Sequence, residues 1–367
     1  MSANPKKVVI AMSGGVDSSL AARILVEQGY DVTGITMKLW GYLDTGGQPT
    51  HDSNCCSLDD INNAKAECAS LGIPHYTLDM SAEFKQIVME NFVSEYKAGR
   101  TPNPCIVCNT EIKWYGLLNK LDDLGVDYLA TGHYARKVKH ETSDSWVIGR
   151  GKDTVKDQSY VLWGIRSEDL ERTLFPLGDL AKSEVRQLAA DANMRTADTP
   201  ESMEICFVPD NDYRRFLNQQ YPEVIASSPP GDFVNSKGEV IGQHQGVFNY
   251  TVGQRKGLGL ATGERVFVNK IDVENNIVHV GDKKETEARR FLVNSCNWLI
   301  PESYLMDKPV KVQIRYNHEA KPAHISRLSQ DDVQVVFDHP ENAITPGQSA
   351  VFFLDDQVVG GGIIKSV

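Results

Sequence analysis

The heptapeptide Ser13-Gly14-Gly15-Val16-Asp17-Ser18-Ser19 stands between an apolar run, KKVVIAM, and a stretch of helical period, SLAARILVEQG. A strand that turns through paired glycines into a helix is the opening of a parallel α/β unit, and few other architectures accept it. The turn also has a chemical consequence. Glycines let the backbone approach an anion closely, and the helix N-terminus carries about half a positive charge. The hydroxyls of Ser13, Ser18 and Ser19 add donors, so the segment reads as a phosphate loop. It is not the GxxxxGK[ST] form, because the lysine is missing and the spacing differs. A capped helix after a strand would account for one serine and one glycine, not for the whole run.

The same rhythm continues to about residue 132. DVTGITMKLW, INNAKAECASLG and HYTLDM alternate strand and helix patterns, helices are predicted over 83–97 and 110–124, and a strand over 127–131. Strands this apolar, separated by helices, predict a doubly wound parallel sheet covered on both faces, with ligands at the carboxyl ends of its strands. After about residue 215 the texture changes to short β-branched runs between Gly and Pro, and 221–231 has linker or turn composition. From 288 onward KVQIRY, DVQVVFD, SAVFFLDD and VVGGGIIK recur at roughly ten-residue spacing, the pattern of a small antiparallel barrel or sandwich. The expected division is a catalytic α/β domain over 1–214, a central β-rich domain over 215–285 and a C-terminal β-barrel over 286–367.

Composition narrows the function. With 38 Lys+Arg against 49 Asp+Glu, a net charge of −11 argues against wholesale electrostatic coating of nucleic acid, while leaving room for a local basic surface. No apolar run approaches the roughly 20 residues that span a bilayer, and the first residues lack a signal or transit pattern, so no membrane partner and a cytoplasmic location are expected. Seven cysteines are an odd number spread over 367 residues, which argues against a secreted disulfide framework.

Beyond the loop, the sequence resembles a known family. SGGVDS after the first strand is similar to the loop of the ATP pyrophosphatases. Within them GRTPNPCIVCN, ATGHYA, KDQSY, EICFV, GQRKGLG and PGQ resemble, in order and spacing, the tRNA-specific 2-thiouridylases (the MnmA family) over nearly the whole chain. The resemblance implies an adenine nucleotide alpha hydrolase-like fold for the first domain. It implies activation of a tRNA wobble uridine by ATP with Mg²⁺, sulfur transfer to its 2-carbonyl carbon, and release of AMP and pyrophosphate. It places ATP at Ala11, Met12, Ser13, Gly14, Gly15, Val16, Asp17 and Ser18, with Met37 and Gly132. Met37 and Gly132 fit physically, since both end strands at the same sheet edge as the loop. Asp17 is expected to hold Mg²⁺ or orient phosphate, because a free carboxylate there would repel the triphosphate.

The resemblance makes Cys108 the nucleophile and Cys206 the persulfide carrier, a pair able to form a disulfide with each other. On residues alone, Cys108 before a predicted helix is a plausible thiolate, its pKa drawn down from ~8.5 by the helix dipole. Cys206, between Ile205 and Phe207, reads on residues alone first as a small buried hydrophobe, and it is the resemblance that reverses this. Asn103, Pro104 and Cys105 correspond to the target-base loop, although Cys105 stands where many members carry Asp. Three thiols, Cys105, Cys108 and Cys206, could also hold zinc or an iron-sulfur cluster, the less favoured alternative. Cys55, Cys56, Cys68 and Cys296 read as structural, and His51 as a solvated loop residue.

His133, Lys156, Asp157, Gln158, Arg315, Tyr316 and Gln348 correspond to tRNA-contacting positions. The implied partners are tRNAs for Lys, Glu and Gln and a cysteine desulfurase or sulfur-relay protein. Arg255-Lys256 and Arg289-Arg290 look like phosphate contacts, though such pairs are also ordinary solvated charges. Gly257-Leu258-Gly259 follows no βαβ strand and reads as a tight turn. Two other readings stay open on the residues: a pyrophosphate-releasing amide or small-molecule ligase, which would need neither cysteine, and a non-catalytic RNA-binding module, in which SGGVDS would be idle.

Overall fold

Alternation along the first strand divides its side chains between two cores. In β1 (Lys7–Ala11) Val8 and Ile10 join Leu20, Leu25, Ala64 and Val185 on one face, while Val9 joins Met37, Phe84 and Trp114 on the other. The computed structural model describes residues 4–41, 44, 58–122, 125–199, 205–208, 210–306 and 308–367. Cys55, Cys56 and His51 lie outside the described residues.

With β2 (Asp31–Lys38), β3 (His75–Asp79), β4 (Tyr128–Thr131) and the short β7 (Thr173–Leu174), β1 builds a sheet of order β3-β2-β1-β4-β7. Every pairing in it is parallel. Helices α1 (Val16–Glu27), α2 (Leu58–Ser70) and α8 (Lys182–Asp191) feed the first core. The other face is covered by two helical runs. One passes from α3 (Ser81–Phe84) through a π-helical turn, Lys85–Met89, into α4 (Glu90–Lys97). The second passes from α5 (Pro104–Val107) through a π-helical stretch, Cys108–Gly116, into α6 (Leu117–Asp122). The doubly wound parallel sheet expected from the sequence is therefore present.

The hairpin of β5 (Ala135–Lys139) and β6 (Trp146–Arg150) leaves this sheet and pairs with the last strand of the chain, Val358 opposite Ile148. Helix α7 (Ser167–Glu171) precedes β7. The region expected as linker is partly helical: α9 (Tyr213–Gln220) runs to Tyr221, and α10 (Pro222–Ala226) starts with proline at its first position, where the missing N–H costs nothing. The turn at 227–230 comes after it. Strands β8 (Gly231–Val234), β9 (Val240–His244), β10 (Phe267–Asp272) and β11 (Ile277–Gly281) form a four-stranded sheet of order β10-β11-β8-β9.

Strands β12 (Glu287–Trp298), β13 (Pro309–Gln313), β14 (Lys321–Arg327), β15 (Val333–Asn342), β16 (Ser349–Leu354) and β17 (Gln357–Ser366) follow in the order β12-β15-β14-β13-β16-β17, and β12 also pairs with β17. That extra pairing closes a six-stranded barrel and leaves it no open edge. The barrel is fastened to the first part of the chain by polar contacts. Tyr160 Oη donates to the Ser349 carbonyl at 3.0 Å, and Asn297 Nδ2 donates to the carbonyls of Trp163 and Ile165 at 2.7 and 2.8 Å.

Candidate functional site

Past Ala11 the chain turns through residues 12–15 into α1, whose first-turn amides have no carbonyl one turn earlier to bond. Gly15 is the N-cap and supplies no capping side chain. The loop stiffens itself instead: Ser18 Oγ accepts from the Ser13 amide at 3.1 Å and donates to the Gly15 carbonyl at 3.2 Å. Of the three serines expected to offer hydroxyls, Ser19 does not. It is fully buried in α1 and its hydroxyl faces the core, because one residue further round the helix points away from the turn.

At the carboxyl ends of β1, β2 and β4 lies a cavity of about 640 Å³, within the size range of small-molecule sites. Ala11, Met12, Ser13, Gly15, Val16, Asp17 and Ser18 line it from the loop, with Met37 and Gly132 beside them. Gly14, at φ +78°, is off the wall and faces the Asp60 backbone. Gly132 must be glycine for a packing reason: a Cβ there would lie 2.8 Å from the Ser18 nitrogen and 2.9 Å from the Asp17 carbonyl carbon. So β4 can approach the loop only because that side chain is missing.

Asp17 is not a bare carboxylate. Lys182 Nζ, from the start of α8, donates to both its oxygens at 2.7 and 2.8 Å, and Tyr134 Oη donates to Oδ1 at 2.6 Å. Lys182 is itself largely buried and on the cavity wall. Its cation offsets the charge that would repel a triphosphate, and nothing in the sequence pairs residues 165 positions apart. Lys113, Asp60 and Tyr134 are further wall residues that motif reading did not find.

His133 follows Gly132 on the same wall, with Nδ1 2.8 Å from Thr131 Oγ1 and its ring 5.7 Å from that of Trp114. Desolvation by burial first, and the Lys113 cation second, lower its pKa well below the ordinary 6.5. Between the native and unfolded pKa values the unfolded chain binds more protons, so this group's contribution to stability is full above about pH 6.5 and is lost as pH falls. A His133→Asn variant should thus lose less stability than the parent between pH 7.5 and 5.5, as read by thermal unfolding. Equal losses would show that His133 is not held neutral.

The cysteines occupy three different settings. Asn103 caps α5, its Oδ1 accepting from the Ile106 amide at 3.4 Å, and Pro104 is the first helical residue. The helix therefore begins four residues before Cys108, not after it. The exposed Cys105 sits in the first turn, where the dipole acts, and Cys108 lies one turn further in, buried at the start of the π-helical stretch. The helix dipole therefore does not act on Cys108 as the sequence led one to expect. Cys206 is half-buried against the same core that contains Cys108. Among the described residues no three His, Cys, Asp or Glu side chains are grouped to hold a metal ion. Cys68 is wholly buried and its pKa is pushed up to about 11 by burial and by Glu67, while burial carries Cys296 to about 12. Both suit packing rather than nucleophilic chemistry.

The residues matched to tRNA contacts divide as well. Lys156 and Gln158 line the cavity, Gln158 Oε1 accepting from the Tyr134 amide at 3.0 Å. Asp157 turns inward: its carboxylate accepts from Arg150, Ser159 and the Gly151 amide at 2.7 to 3.1 Å. Arg150 continues to Gln313 Oε1 at 3.1 Å, and Gln313 Nε2 holds the carbonyls of Arg315 and Tyr316. This network fixes one rim of the cavity to the barrel. Tyr316 reaches the wall, and its phenol pKa is raised by burial, then by Asp157 and Cys105. Arg315 is half-buried, donating to the Asn342 carbonyl at 2.6 Å, and burial lowers its pKa. Gln348 bonds the loop before Asn103. Arg289 donates from its Nε to the Phe337 carbonyl, and Gly257 and Gly259 lie in a turn at positive φ.

Three family models together match most of residues 6–364. Residues 6–210 match the tRNA methyl transferase HUP domain family, 214–282 the tRNA methyl transferase PRC-barrel domain family, and 288–364 the aminomethyltransferase beta-barrel domain family. The tRNA-specific 2-thiouridylase MnmA of Salinibacter ruber is 45% identical over 98% of this chain and 94% of its own length. Those of Carboxydothermus hydrogenoformans and Halothermothrix orenii are 47% and 45% identical, over 98% of this chain and 98% and 99% of theirs. Among the described residues no helix is long and apolar enough to cross a membrane.

Proposed function

Since the chain belongs to the tRNA-specific 2-thiouridylase family of the ATP pyrophosphatases, we propose that it thiolates the wobble uridine of tRNAs for Lys, Glu and Gln. The uridine 2-oxygen is first adenylylated by ATP. A persulfide on Cys206 then supplies the sulfur. The observation that carries this reading is a shared wall: the phosphate loop and Tyr316 of the barrel line one cavity, and Cys105 of the target-base loop lies close enough to Tyr316 to affect its ionisation. A nucleotide held by the loop and a base extruded past residues 103–105 would meet there.

In the first half-reaction the uridine oxygen attacks the α-phosphorus and pyrophosphate leaves. The amides of α1 and Lys182 oppose the charge of the triphosphate. Mg²⁺, which takes one or two carboxylates together with phosphate oxygens, would find Asp17 and Asp60 on the wall and would screen the leaving pyrophosphate. In the second, the terminal sulfur of the Cys206 persulfide attacks the activated carbon and AMP leaves. The Cys108 thiolate then attacks Cys206 Sγ, so that the S–S bond breaks, 2-thiouridine is released and a Cys108–Cys206 disulfide forms. An external thiol reduces that disulfide, and a cysteine desulfurase or relay protein reloads Cys206. In this scheme residues 1–214 carry out the chemistry and 215–285 and 286–367 grip the tRNA.

The test is stoichiometric. Unmodified tRNA, ATP and a persulfide source should give one AMP and one pyrophosphate per RNA retarded on a mercury-containing gel. An amide ligase would release pyrophosphate without a retarded band, and a binding module would release none.

A further inference from the structure

The segment that leads into the cysteine-bearing helix cannot hold itself. Pro102 and Pro104 have no N–H to give, and the residues before them, Thr101 and Asn103, are driven to extended backbone. The carbonyls of Thr101 and Pro102 therefore need donors from elsewhere. They receive both from one side chain: Gln348 Nε2 donates to Thr101 O at 2.9 Å and to Pro102 O at 3.0 Å. The Thr101 amide in turn donates to the Pro346 carbonyl at 2.9 Å. Gly347 between them has φ +90°, and a Cβ on it would lie 2.8 Å from Thr101 O and 2.9 Å from Thr101 N. The turn is anchored behind by barrel strand β17, with Gly347 N donating to Ile364 O and Ile364 N to Gln348 O, at 2.9 and 2.8 Å.

We propose that Gln348 is a positioning residue: through its side-chain amide the C-terminal barrel sets the loop 101–103, and with it the helix turn that presents Cys105 and Cys108. An amide nitrogen has two hydrogens, and both are used here. Only Oε1, an acceptor, is left to meet RNA. The barrel thus helps build the thiol site before any tRNA arrives, and a tRNA that moves the barrel moves the cysteine loop with it. What the thiols do rests on the function proposed above; the clamp does not.

The test is alkylation of the full chain without tRNA, following Cys105, Cys108 and Cys68 by peptide mass spectrometry in the parent, Gln348→Met and Gln348→Glu. Neither replacement can donate. Loss of two hydrogen bonds at about 1 kcal/mol each should raise local opening, and so the Cys108 alkylation rate, roughly 5- to 30-fold. Cys68, buried in the other core, should keep its parental rate. In the thiolation assay kcat should fall more than the KM for tRNA rises. An unchanged Cys108 rate would overturn the proposal, and if tRNA KM alone rose, Gln348 would be an RNA contact only. A parallel rise at Cys68 would mark global loosening and would overturn it too. Because alkylation needs neither ATP nor tRNA, its outcome stands even if the chain proves not to thiolate RNA.

Discussion

Replacing Cys206 by serine is expected to abolish tRNA thiolation, by roughly 10³-fold or more, while tRNA- and ATP-dependent pyrophosphate release continues. Serine is nearly isosteric, yet an oxygen in place of Sγ cannot carry a persulfide, so the change removes chemistry rather than packing. The first half-reaction should survive because adenylylation joins the uridine oxygen to the α-phosphorus and uses no atom of Cys206. That cysteine rests half-buried against the larger hydrophobic core. Mercury-gel retardation and pyrophosphate release, measured on the same samples, read the two halves separately. Cys105→Ser should keep the retarded band, since Cys105 is exposed in the first helical turn and serine preserves a small polar group there. A band that persists in Cys206→Ser would place the sulfur elsewhere. A band lost in both variants would bring Cys105 into the sulfur chemistry.

The parts of this molecule legible in the sequence are those governed by local rules. SGGVDS after KVVIA specifies strand, turn and helix start through glycine geometry and strand apolarity. Met37 and Gly132 could be put at the same edge because parallel strands share their carboxyl ends. Proline at 104 after Asn103 is a helix-start signal as well, Asn capping and Pro at the first position, and it puts Cys105 and not Cys108 in the dipole's reach. What was hidden depends on distant partners. The strands Ala135–Lys139 and Trp146–Arg150 read locally as no more than a hairpin, and only the pairing with Gln357 and Val358 makes them an extension of the barrel sheet. The π-helical stretch after Cys108 has no sequence signature. Asp157 and Gln158 are neighbours in a motif, yet one knits the rim and the other lines the cavity. Lys182 reads as an ordinary first-turn lysine of an amphipathic helix.

That lysine supplies the second large effect. Asp17→Ala should abolish tRNA-dependent pyrophosphate release, because it removes the carboxylate that Tyr134 and Lys182 jointly hold at the head of α1 and that lines the cavity where the proposed function puts ATP. Lys182→Ala should raise the Kd for ATP roughly 10- to 100-fold, the range expected when a charge-assisted contact worth about 1.5–3 kcal/mol is lost beside an anion. The two changes are coupled. With Lys182 gone, Asp17 repels the triphosphate, so ATP affinity should recover in part in the Asp17→Asn/Lys182→Ala double variant, although turnover should not. Isothermal titration on the four proteins of that cycle measures the coupling directly. Strictly additive losses would mean that Lys182 acts on phosphate alone, and an unchanged Kd in Lys182→Ala would remove the lysine from the site.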